Sequence, residues 1–257
     1  MMMTEKLKIS LTEFDIDWEN PKENRVFLDE LTENHNSDLI VLPEMFTTGF
    51  SMNPELIAEE AYGKTYKWMK SKAEKEGIAI CGSVSTREAG KFYNRFYFVT
   101  PEKDWHYDKK HLFGYGKETG EYTPGNQIVT AEFKGWKFRL IVCYDLRFPV
   151  WSRNTDDYDV LLCPANWPAV RNEQWKALLK ARAIENMAYC VGVNRIGVDD
   201  YDLEYAGVSK VFDAIGTELK LKRINKFLLQ TELSYESTQN FRQNYGFLND
   251  RDKFELI

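Results

Sequence analysis

Short, wholly apolar runs constrain the fold of this chain most strongly, because helical patterns alternate with them along the sequence. Leu39–Leu42 is one such run, and Leu140–Cys143 and Val160–Cys163 are two others. Runs of this kind are typical of strands that are buried on both faces of a sheet. Their alternation with helices predicts an α/β fold, in which a mixed sheet is covered by helices on the outside.

The predicted elements follow one another without an internal repeat or a linker. Asn20 is predicted to cap a helix that starts at Pro21 and ends near His35–Asn36. Two more helices are predicted over Pro54–Glu76 and Glu173–Met187. The predicted strands are Leu7–Phe14, Asp38–Leu42, Ile78–Ser85, Lys91–Thr100, Trp105–Lys109, Phe138–Cys143, Asp159–Cys163, Tyr189–Arg195, Gly207–Phe212 and Phe227–Thr231.

Two segments have no clear periodic pattern. Phe113–Asn126 is rich in Gly and Pro and is predicted to be a long loop, which in a compact domain is often functional. Residues 235–257 are interpreted as a C-terminal arm, either packed on a partner subunit or a plain extension. With no linker elsewhere, residues 1–257 are predicted to form a single domain.

Composition directs the search for a function to a pocket. The 257 residues include 34 Lys and Arg against 40 Asp and Glu, a formal charge of −6, which argues against nucleic-acid or anionic-membrane partners. Met1–Lys8 lacks the apolar core of a signal peptide, and no apolar run is long enough to cross a bilayer. The expected location is therefore the cytoplasm.

Cysteine 143 is the strongest candidate for chemistry among the four cysteines. It ends an apolar strand and is followed at once by Tyr144, Asp145 and Arg147, so it is predicted to stand rigidly at a strand tip. Backbone amides in such a turn can donate to an oxyanion. The other cysteines are interpreted as small core residues, since no CxxC pair or zinc spacing is present; they are Cys81, Cys163 and Cys190.

A nucleophilic thiol needs a base or a cation beside it. His111 is one candidate for a Cys–His pair, with a structural role as the alternative. Glu44 ends another apolar run, where a carboxylate is poorly solvated and suited to act as a base, although a surface or capping role is open. Lys109 ends a predicted strand and is either an oxyanion donor or part of a solvated basic edge with Lys110.

Three segments together resemble the nitrilase superfamily of carbon–nitrogen hydrolases. They are Leu42-Pro43-Glu44-Met45-Phe46, Asp108-Lys109-Lys110-His111-Leu112-Phe113 and Val142-Cys143-Tyr144-Asp145-Leu146-Arg147-Phe148-Pro149, in the superfamily's order of Glu, Lys and Cys. The resemblance extends from about Leu7 to about Leu233. Two later segments are similar to the omega-amidase group, namely Pro164-Ala165-Asn166-Trp167-Pro168 and Ala181-Arg182-Ala183-Ile184-Glu185-Asn186.

The resemblance implies a role for each matching residue. Glu44 corresponds to the general base, Lys109 to the catalytic lysine and Cys143 to the nucleophile, with the backbone amide of Tyr144 as a second oxyanion donor. The superfamily's second glutamate falls on Glu118, with Glu121 as the alternative. Substrate-binding candidates are Arg147 and Arg171 for a carboxylate, and Phe113, Asn166 and Trp167 around them; Arg147 is alternatively a brace for Asp145.

The resemblance also implies a fold and an activity. The fold is a four-layer α-β-β-α sandwich, two mixed sheets flanked by helices, and the chain is expected to form a homodimer. The activity is hydrolysis of the terminal amide of short α-keto acid amides, such as 2-oxoglutaramate and 2-oxosuccinamate, through a thioester and without a metal or cofactor. Alternatives are another carbon–nitrogen hydrolase, acting on nitriles, N-carbamoyl amines or short-chain amides, and a non-catalytic binding or thiol-sensor protein of the same fold.

Overall fold

The computed structural model describes residues 4–33 and 35–255. Its strands in chain order are β1 (Lys6–Thr12), β2 (Leu39–Val41), β3 (Glu59–Glu60), β4 (Ala79–Glu88), β5 (Lys91–Val99), β6 (Asp104–Asp108), β7 (Thr130–Phe133), β8 (Trp136–Leu140), β9 (Val160–Ala165), β10 (Tyr189–Asn194), β11 (Ile196–Val198), β12 (Glu204–Ala206), β13 (Lys210–Phe212), β14 (Lys222–Arg223) and β15 (Leu228–Ser234).

The helices are fewer, and several are short. The α-helices are α1 (Pro21–Leu31), α2 (Pro54–Ile57), α3 (Lys64–Glu76), α4 (Glu118–Glu121), α5 (Asn172–Asn186) and α6 (Tyr235–Tyr245). The 3₁₀ turns are Gly114–Gly116, Cys143–Arg147, Ala169–Arg171 and Phe247–Asp250. No helix in the described ranges is long and apolar enough to span a membrane.

Most strands belong to two mixed sheets. The larger sheet has the order β14-β15-β1-β2-β4-β5-β6, with β3 paired to β4. Its central strands β1, β2 and β4 are parallel, while β15 and β5 flank them in the antiparallel sense. The smaller sheet has the order β13-β10-β9-β8-β7, with β8, β9 and β10 parallel to one another. The strands β11 and β12 form a separate hairpin.

The two sheets pack against each other, and helices cover their outer faces. Leu39 and Val41 of β2 lie in the core between the sheets, whereas Ile40 lies in a second core under α1 and α3. On the smaller sheet α5 packs against β10, so closely that a Cβ at Gly192 would lie 2.4 Å from Leu179 Cδ1. The predicted four-layer α-β-β-α sandwich is therefore confirmed.

The prediction of one helix over Pro54–Glu76 was wrong. After α2 the chain becomes extended at Ala58 and adds β3 to the edge of β4, before α3 begins. The Glu59 carboxylate accepts from the Thr65 amide at 2.6 Å and from its hydroxyl at 2.7 Å, which satisfies the free start of α3. The Glu59 side chain therefore caps a separate helix, α3, where the sequence pattern predicts one continuous helix.

Smaller differences lie at the ends of elements. Helix α1 ends at Leu31, short of His35–Asn36, and the Asn20 side chain donates to Asp17 at 2.7 Å without capping the helix. Strand β8 ends at Leu140, so Cys143 begins a 3₁₀ turn. The sequence patterns also missed β7, the β11–β12 hairpin and the helical turns within Phe113–Asn126.

The predicted C-terminal arm begins with helix α6. The Ser234 hydroxyl caps this helix by accepting from the Ser237 amide at 3.3 Å. From within the helix, Arg242 donates to the Met187 carbonyl at 2.8 Å and pairs with Asp159 at 3.2 Å. The start of the arm thus packs on the chain's own smaller sheet, while its last two residues, 256 and 257, lie outside the described residues.

Candidate active site

Glu44 lies just beyond the end of β2, in a turn that is fixed on both sides. The next residue, Met45, has a φ of +43°, and its amide donates to the Ser83 hydroxyl at 2.9 Å. The Glu44 carboxylate is fully buried and accepts from the Asn166 amide at 2.8 Å. The Asn166 side chain in turn donates to the Glu44 carbonyl at 2.6 Å. The two sheets are therefore bonded to each other at this point.

Lys109 follows β6 and reaches the same place from the neighbouring side of the larger sheet. Its amide donates to the Asn94 carbonyl of β5 at 3.0 Å, which extends the pairing of these strands by one bond. Its Nζ lies 2.8 Å from Glu44 Oε1 and 2.9 Å from Glu118 Oε2. Lys110, by contrast, lies over the Trp151 ring away from these acids.

The structure distinguishes the two glutamates of the loop. Glu118 starts the short helix α4, is fully buried and contacts Lys109 through both carboxylate oxygens, at 3.0 and 2.9 Å. It also accepts from the Phe113 amide at 2.6 Å. Glu121, one turn later, is exposed at the wall of the neighbouring cavity. The glutamate that shares the lysine is therefore Glu118.

Cys143 stands in a strained turn that a buried carboxylate holds in place. Its φ is +44°, a left-handed value that is unusual for a residue with a Cβ, and its side chain is 8% exposed. The Asp145 carboxylate accepts from the Val142 amide at 3.0 Å, from the Tyr107 hydroxyl at 2.7 Å and from the His111 amide at 2.8 Å. These bonds tie the turn to the end of β6.

Burial and neighbouring charges set the ionisation of this cluster. Burial raises the pKa of the Cys143 thiol well above its ordinary value; the negative charge of Glu44 adds to this, while Lys109 opposes it. Burial also acts against the charge of Lys109, but the carboxylates of Glu118 and Glu44 outweigh it and raise the lysine pKa. Burial raises the pKa of Glu118, against the effect of Lys109. The resting thiol is therefore protonated beside a charged lysine.

The histidines have other partners. His111 Nδ1 lies 2.8 Å from Asp145 Oδ1, and the ring stacks on Phe148 at 3.7 Å. His35 contacts Glu76 at 2.5 Å, and His106 lies beside Tyr62. The structural alternative for His111 is therefore the one that the contacts support, since its ring braces the turn through Asp145.

A cavity of about 710 Å³ opens above Cys143. It is lined by Glu44, Lys109 and Cys143, and by all of the other residues predicted to contact substrate, which are Phe113, Tyr144, Arg147, Asn166, Trp167 and Arg171. Its apolar walls include the Phe113 and Tyr144 rings, whose centroids are 5.0 Å apart. The structure thus brings the predicted site residues together around one cavity.

Arg147 and Arg171 differ from most arginines of this protein. Arg147 lies over the Trp167 ring at 4.8 Å and donates to Gln174, while Arg171 lies over the Phe113 ring at 5.6 Å. Within residues 4–33 and 35–255, neither side chain forms a salt bridge with a carboxylate. Arg147 therefore does not brace Asp145, and both cations are available to an anionic group in the cavity.

Sequence reasoning missed several parts of the site. Asn94 of β5 is buried and donates to both Glu44 and Glu118, but a single asparagine within a predicted strand is not a recognisable motif. The β11–β12 hairpin forms a further wall, through Asp199, Tyr201 and Leu203 of its loop and Tyr205 of β12. The one sequence signal for Asn94 is a polar amide within a predicted strand, which needs hydrogen-bond partners if it is buried.

Comparison with known proteins identifies the class. The family model for carbon–nitrogen hydrolases matches residues 17–243, and the chain belongs to this family. It is 41% identical to the omega-amidase YafV of Yersinia enterocolitica over 98% of this chain and 99% of that protein. It is 33% identical to the 2-oxoglutaramate amidase of Bacillus subtilis, over 95% of this chain and 97% of the relative.

A solved structure extends the comparison to the fold. XC1258 from Xanthomonas campestris, a CN-hydrolase superfamily protein with an arsenic adduct in its active site, is 39% identical to this chain. The two structures superpose with a TM-score of 0.94, over 98% of this chain and 100% of the other. The nitrilase-type sandwich is therefore shared over nearly the whole of this chain.

Proposed function

We propose that this protein is an omega-amidase, which hydrolyses the terminal amide of short α-keto acid amides such as 2-oxoglutaramate and 2-oxosuccinamate. The single observation that carries the proposal is the buried cluster of Glu44, Lys109 and Glu118 beside Cys143, at the base of a cavity lined by two arginines that form no salt bridge with any described residue. The near full-length identity to an omega-amidase and to a 2-oxoglutaramate amidase supports the same activity.

The first half of the reaction forms a thioester. Glu44 takes the proton of the Cys143 thiol, and the sulfur attacks the amide carbon of the substrate. The Lys109 ammonium and the backbone amide of Tyr144 donate to the oxyanion of the tetrahedral intermediate. Glu44 then returns its proton to the leaving nitrogen, the C–N bond breaks, and ammonia departs.

The second half regenerates the enzyme. Glu44 takes a proton from a water molecule, whose oxygen attacks the thioester carbon, and the same two donors hold the second oxyanion. The C–S bond then breaks, and Cys143 recovers its proton from Glu44. Because Glu44 is hydrogen-bonded to both Lys109 and the Asn166 amide, it is held in one orientation for all of these transfers.

Substrate selection is proposed to depend on charge. A keto acid amide carries a carboxylate at the end opposite its amide, and Arg147 and Arg171 are cations at the cavity wall without an acidic partner in the described chain. Phe113, Asn166 and Trp167 form the wall around them. Neutral amides and nitriles leave these charges uncompensated, which favours an anionic substrate over them.

Steady-state ammonia release from a panel of substrates tests the proposal. We expect turnover of 2-oxoglutaramate and 2-oxosuccinamate, little with glutamine, and none with a simple nitrile. Replacing Arg171 or Arg147 by Met is expected to raise KM for the keto acid amides by about 10- to 100-fold, since each removes a charged hydrogen bond. The same variants serve as their own control with a neutral amide, where KM is expected to change little.

The nucleophile is tested in the same assay. Cys143→Ala is expected to abolish turnover and to change the unfolding temperature little, because the side chain is small and close to the cavity. Cys190→Ala, in the core of the smaller sheet, is the control and is expected to retain turnover. Substantial activity of Cys143→Ala would reject the mechanism.

The panel also separates the other candidate activities. Preference for a nitrile, an N-carbamoyl amine or an uncharged short-chain amide would indicate another carbon–nitrogen hydrolase with the same cluster. No ammonia from any substrate would indicate a binding or thiol-sensor protein. The homodimer and the cytoplasmic location stay predictions; light scattering on the purified protein tests the first and fractionation of the source cells the second.

A further inference from the structure

Asn94 occupies the centre of the buried acid cluster. It lies in β5 and is fully buried. Its Nδ2 donates to Glu44 Oε1 at 2.8 Å and to Glu118 Oε1 at 3.0 Å, and its carbonyl accepts from the Lys109 amide at 3.0 Å. One residue therefore contacts both carboxylates through its side chain and the lysine through its backbone.

The orientation of the Asn94 amide is fixed by these contacts. Its Oδ1 is buried and has no hydrogen-bond partner among the described residues. Turning the amide over would place this oxygen against two carboxylate oxygens and would leave both without the donor. An unpaired buried polar atom is unfavourable, so the two bonds to the acids decide the position of the side chain.

The cluster needs such a group because its charges do not balance. Two carboxylates, Glu44 and Glu118, share one cation, Lys109, and all three side chains are buried. Other titratable groups around them are Cys143 and the Tyr122 hydroxyl, which contacts Ser85 at 3.0 Å. A neutral side chain that donates one N–H bond to each carboxylate bridges the two like charges without adding a further charge to the cluster.

We propose that Asn94 is a positioning residue for the proposed hydrolysis: its two amide hydrogens, one to each carboxylate, hold Glu44 and Glu118 in register around the Lys109 ammonium. The inference rests on the proposed function, because the value of this alignment lies in the proton transfers of Glu44. Asn94 is not among the described residues that line the cavity.

Two variants of Asn94 test the inference. Asn94→Ala removes both donors, and Asn94→Asp keeps the shape but replaces the donor by a third carboxylate. Both are expected to lower kcat by about 100-fold with KM within about twofold, since misalignment of a catalytic base affects chemistry more than binding. The acid limb of the pH–rate profile is expected to move up by about one pH unit in Asn94→Ala, and further in Asn94→Asp.

A buried asparagine elsewhere provides the matched control. Asn154 is equally buried and bonds the Tyr158 and Asn186 carbonyls at 3.0 Å, away from the cavity. Asn154→Ala is expected to lower the stability as much as Asn94→Ala, without moving the acid limb. If Asn94→Ala and Asn94→Asp retain the wild-type kcat and acid limb, or if Asn154→Ala shifts that limb equally, the inference is overturned.

A second readout does not depend on the substrate. Among the four cysteines, which all lie in the described residues, Cys143 is 8% exposed and Cys81, Cys163 and Cys190 are 0% exposed, so iodoacetamide is expected to alkylate Cys143 selectively in the folded protein. Because negative charge disfavours the thiolate, Asn94→Asp is expected to slow alkylation at pH 8 by about tenfold. An unchanged alkylation rate would count against the inference about Asn94, whatever the substrate panel shows. A panel in which no amide is hydrolysed would overturn the proposed function alone.

Discussion

Single residues at this site are held in unfavourable states by their surroundings. Cys143 and Met45 both have left-handed backbones, with φ values of +44° and +43°, and Glu44, Lys109 and Glu118 are buried charges. Specific hydrogen bonds offset the costs of strain and burial. The Asp145 carboxylate accepts from the Val142 amide in the cysteine turn, and Lys109 donates to the buried acids. Such strained and desolvated groups are ready for chemistry because they need little rearrangement.

Glu118 and Glu121 are predicted to differ in their importance for turnover. Glu118→Gln is expected to lower kcat by about 100-fold, because it removes one of the two charges that hold Lys109 in place. Glu121→Gln is the matched control, and its kcat is expected to stay within about twofold of wild type, since the side chain is exposed at the cavity wall. Ammonia release under saturating 2-oxoglutaramate measures both.

The opposite ranking of these two variants would contradict the assignment. Circular dichroism spectra and unfolding temperatures of both proteins serve as the check on folding. If Glu118→Gln also unfolds the protein, its loss of activity does not test the role of the charge. Glu118→Asp then tests that role, because it keeps the charge and is expected to recover part of the activity.

At the scale of elements, the site is made where strands end. Glu44 follows the carboxyl end of β2 in the larger sheet, and Cys143 follows that of β8 in the smaller sheet. The antiparallel strands β5 and β6 contribute Asn94, which lies within β5, and Lys109, which follows β6. In parallel sheets the residues after neighbouring strands meet at one edge, which is why binding sites form there. Packing of two sheets face to face then brings two such edges together across one cavity.

The Asp145 carboxylate is predicted to stabilise the turn after β8. Asp145→Asn is expected to lower the free energy of unfolding by about 3 kcal/mol, because a buried carboxylate that accepts from Val142, Tyr107 and His111 loses its charge and an acceptor. Activity is expected to fall with it, since the turn carries Cys143. Urea unfolding followed by circular dichroism measures the change.

A comparable aspartate in an exposed turn controls for the substitution itself. Asp213 accepts from the Ile215 and Thr217 amides at 3.1 and 2.8 Å near the surface. Asp213→Asn is expected to change the free energy of unfolding by less than about 1 kcal/mol. If Asp145→Asn costs no more than Asp213→Asn, the carboxylate does not hold the turn as described.

At the scale of the whole molecule, the cores contain many ionisable hydroxyls. The buried tyrosines are Tyr97, Tyr107, Tyr122, Tyr158, Tyr189 and Tyr205. Burial raises the pKa of each above the ordinary value of 10.0, and the charge of a nearby acid adds to this for Tyr107 and Tyr205. The folded state therefore binds these protons more tightly than the unfolded chain.

Alkaline unfolding follows from this difference. Below pH 10 both states keep the tyrosine protons, whereas above pH 10 the unfolded chain loses protons that the folded chain retains, so stability is lost as the pH rises. In a titration followed at the tyrosinate absorption band, the buried group is expected to ionise in one steep step that coincides with loss of the circular dichroism signal. Smooth ionisation of all 14 tyrosines with an unchanged circular dichroism spectrum would contradict it.

The class of fold and the polar residues just beyond the strand ends could be predicted from the sequence alone. Apolar runs such as Leu39–Leu42 indicate buried strands, and a polar residue soon after such a run is expected just beyond the end of the strand. Periodicity did not determine where helices break, as Pro54–Glu76 shows, because the break depends on pairing of Glu59–Glu60 with the distant strand β4.

Which polar and charged groups contact one another could be read from the tertiary structure alone. Glu118 and Glu121 have the same chemistry and lie one helical turn apart, so local sequence does not distinguish them; the loop path places one against Lys109 and the other in solvent. Asn94 lies between Glu44 and Glu118 because three separate segments converge, and Arg147 turns toward Trp167 and away from Asp145. Electrostatic neighbours are set by distances in space, which the order of residues along a chain does not fix.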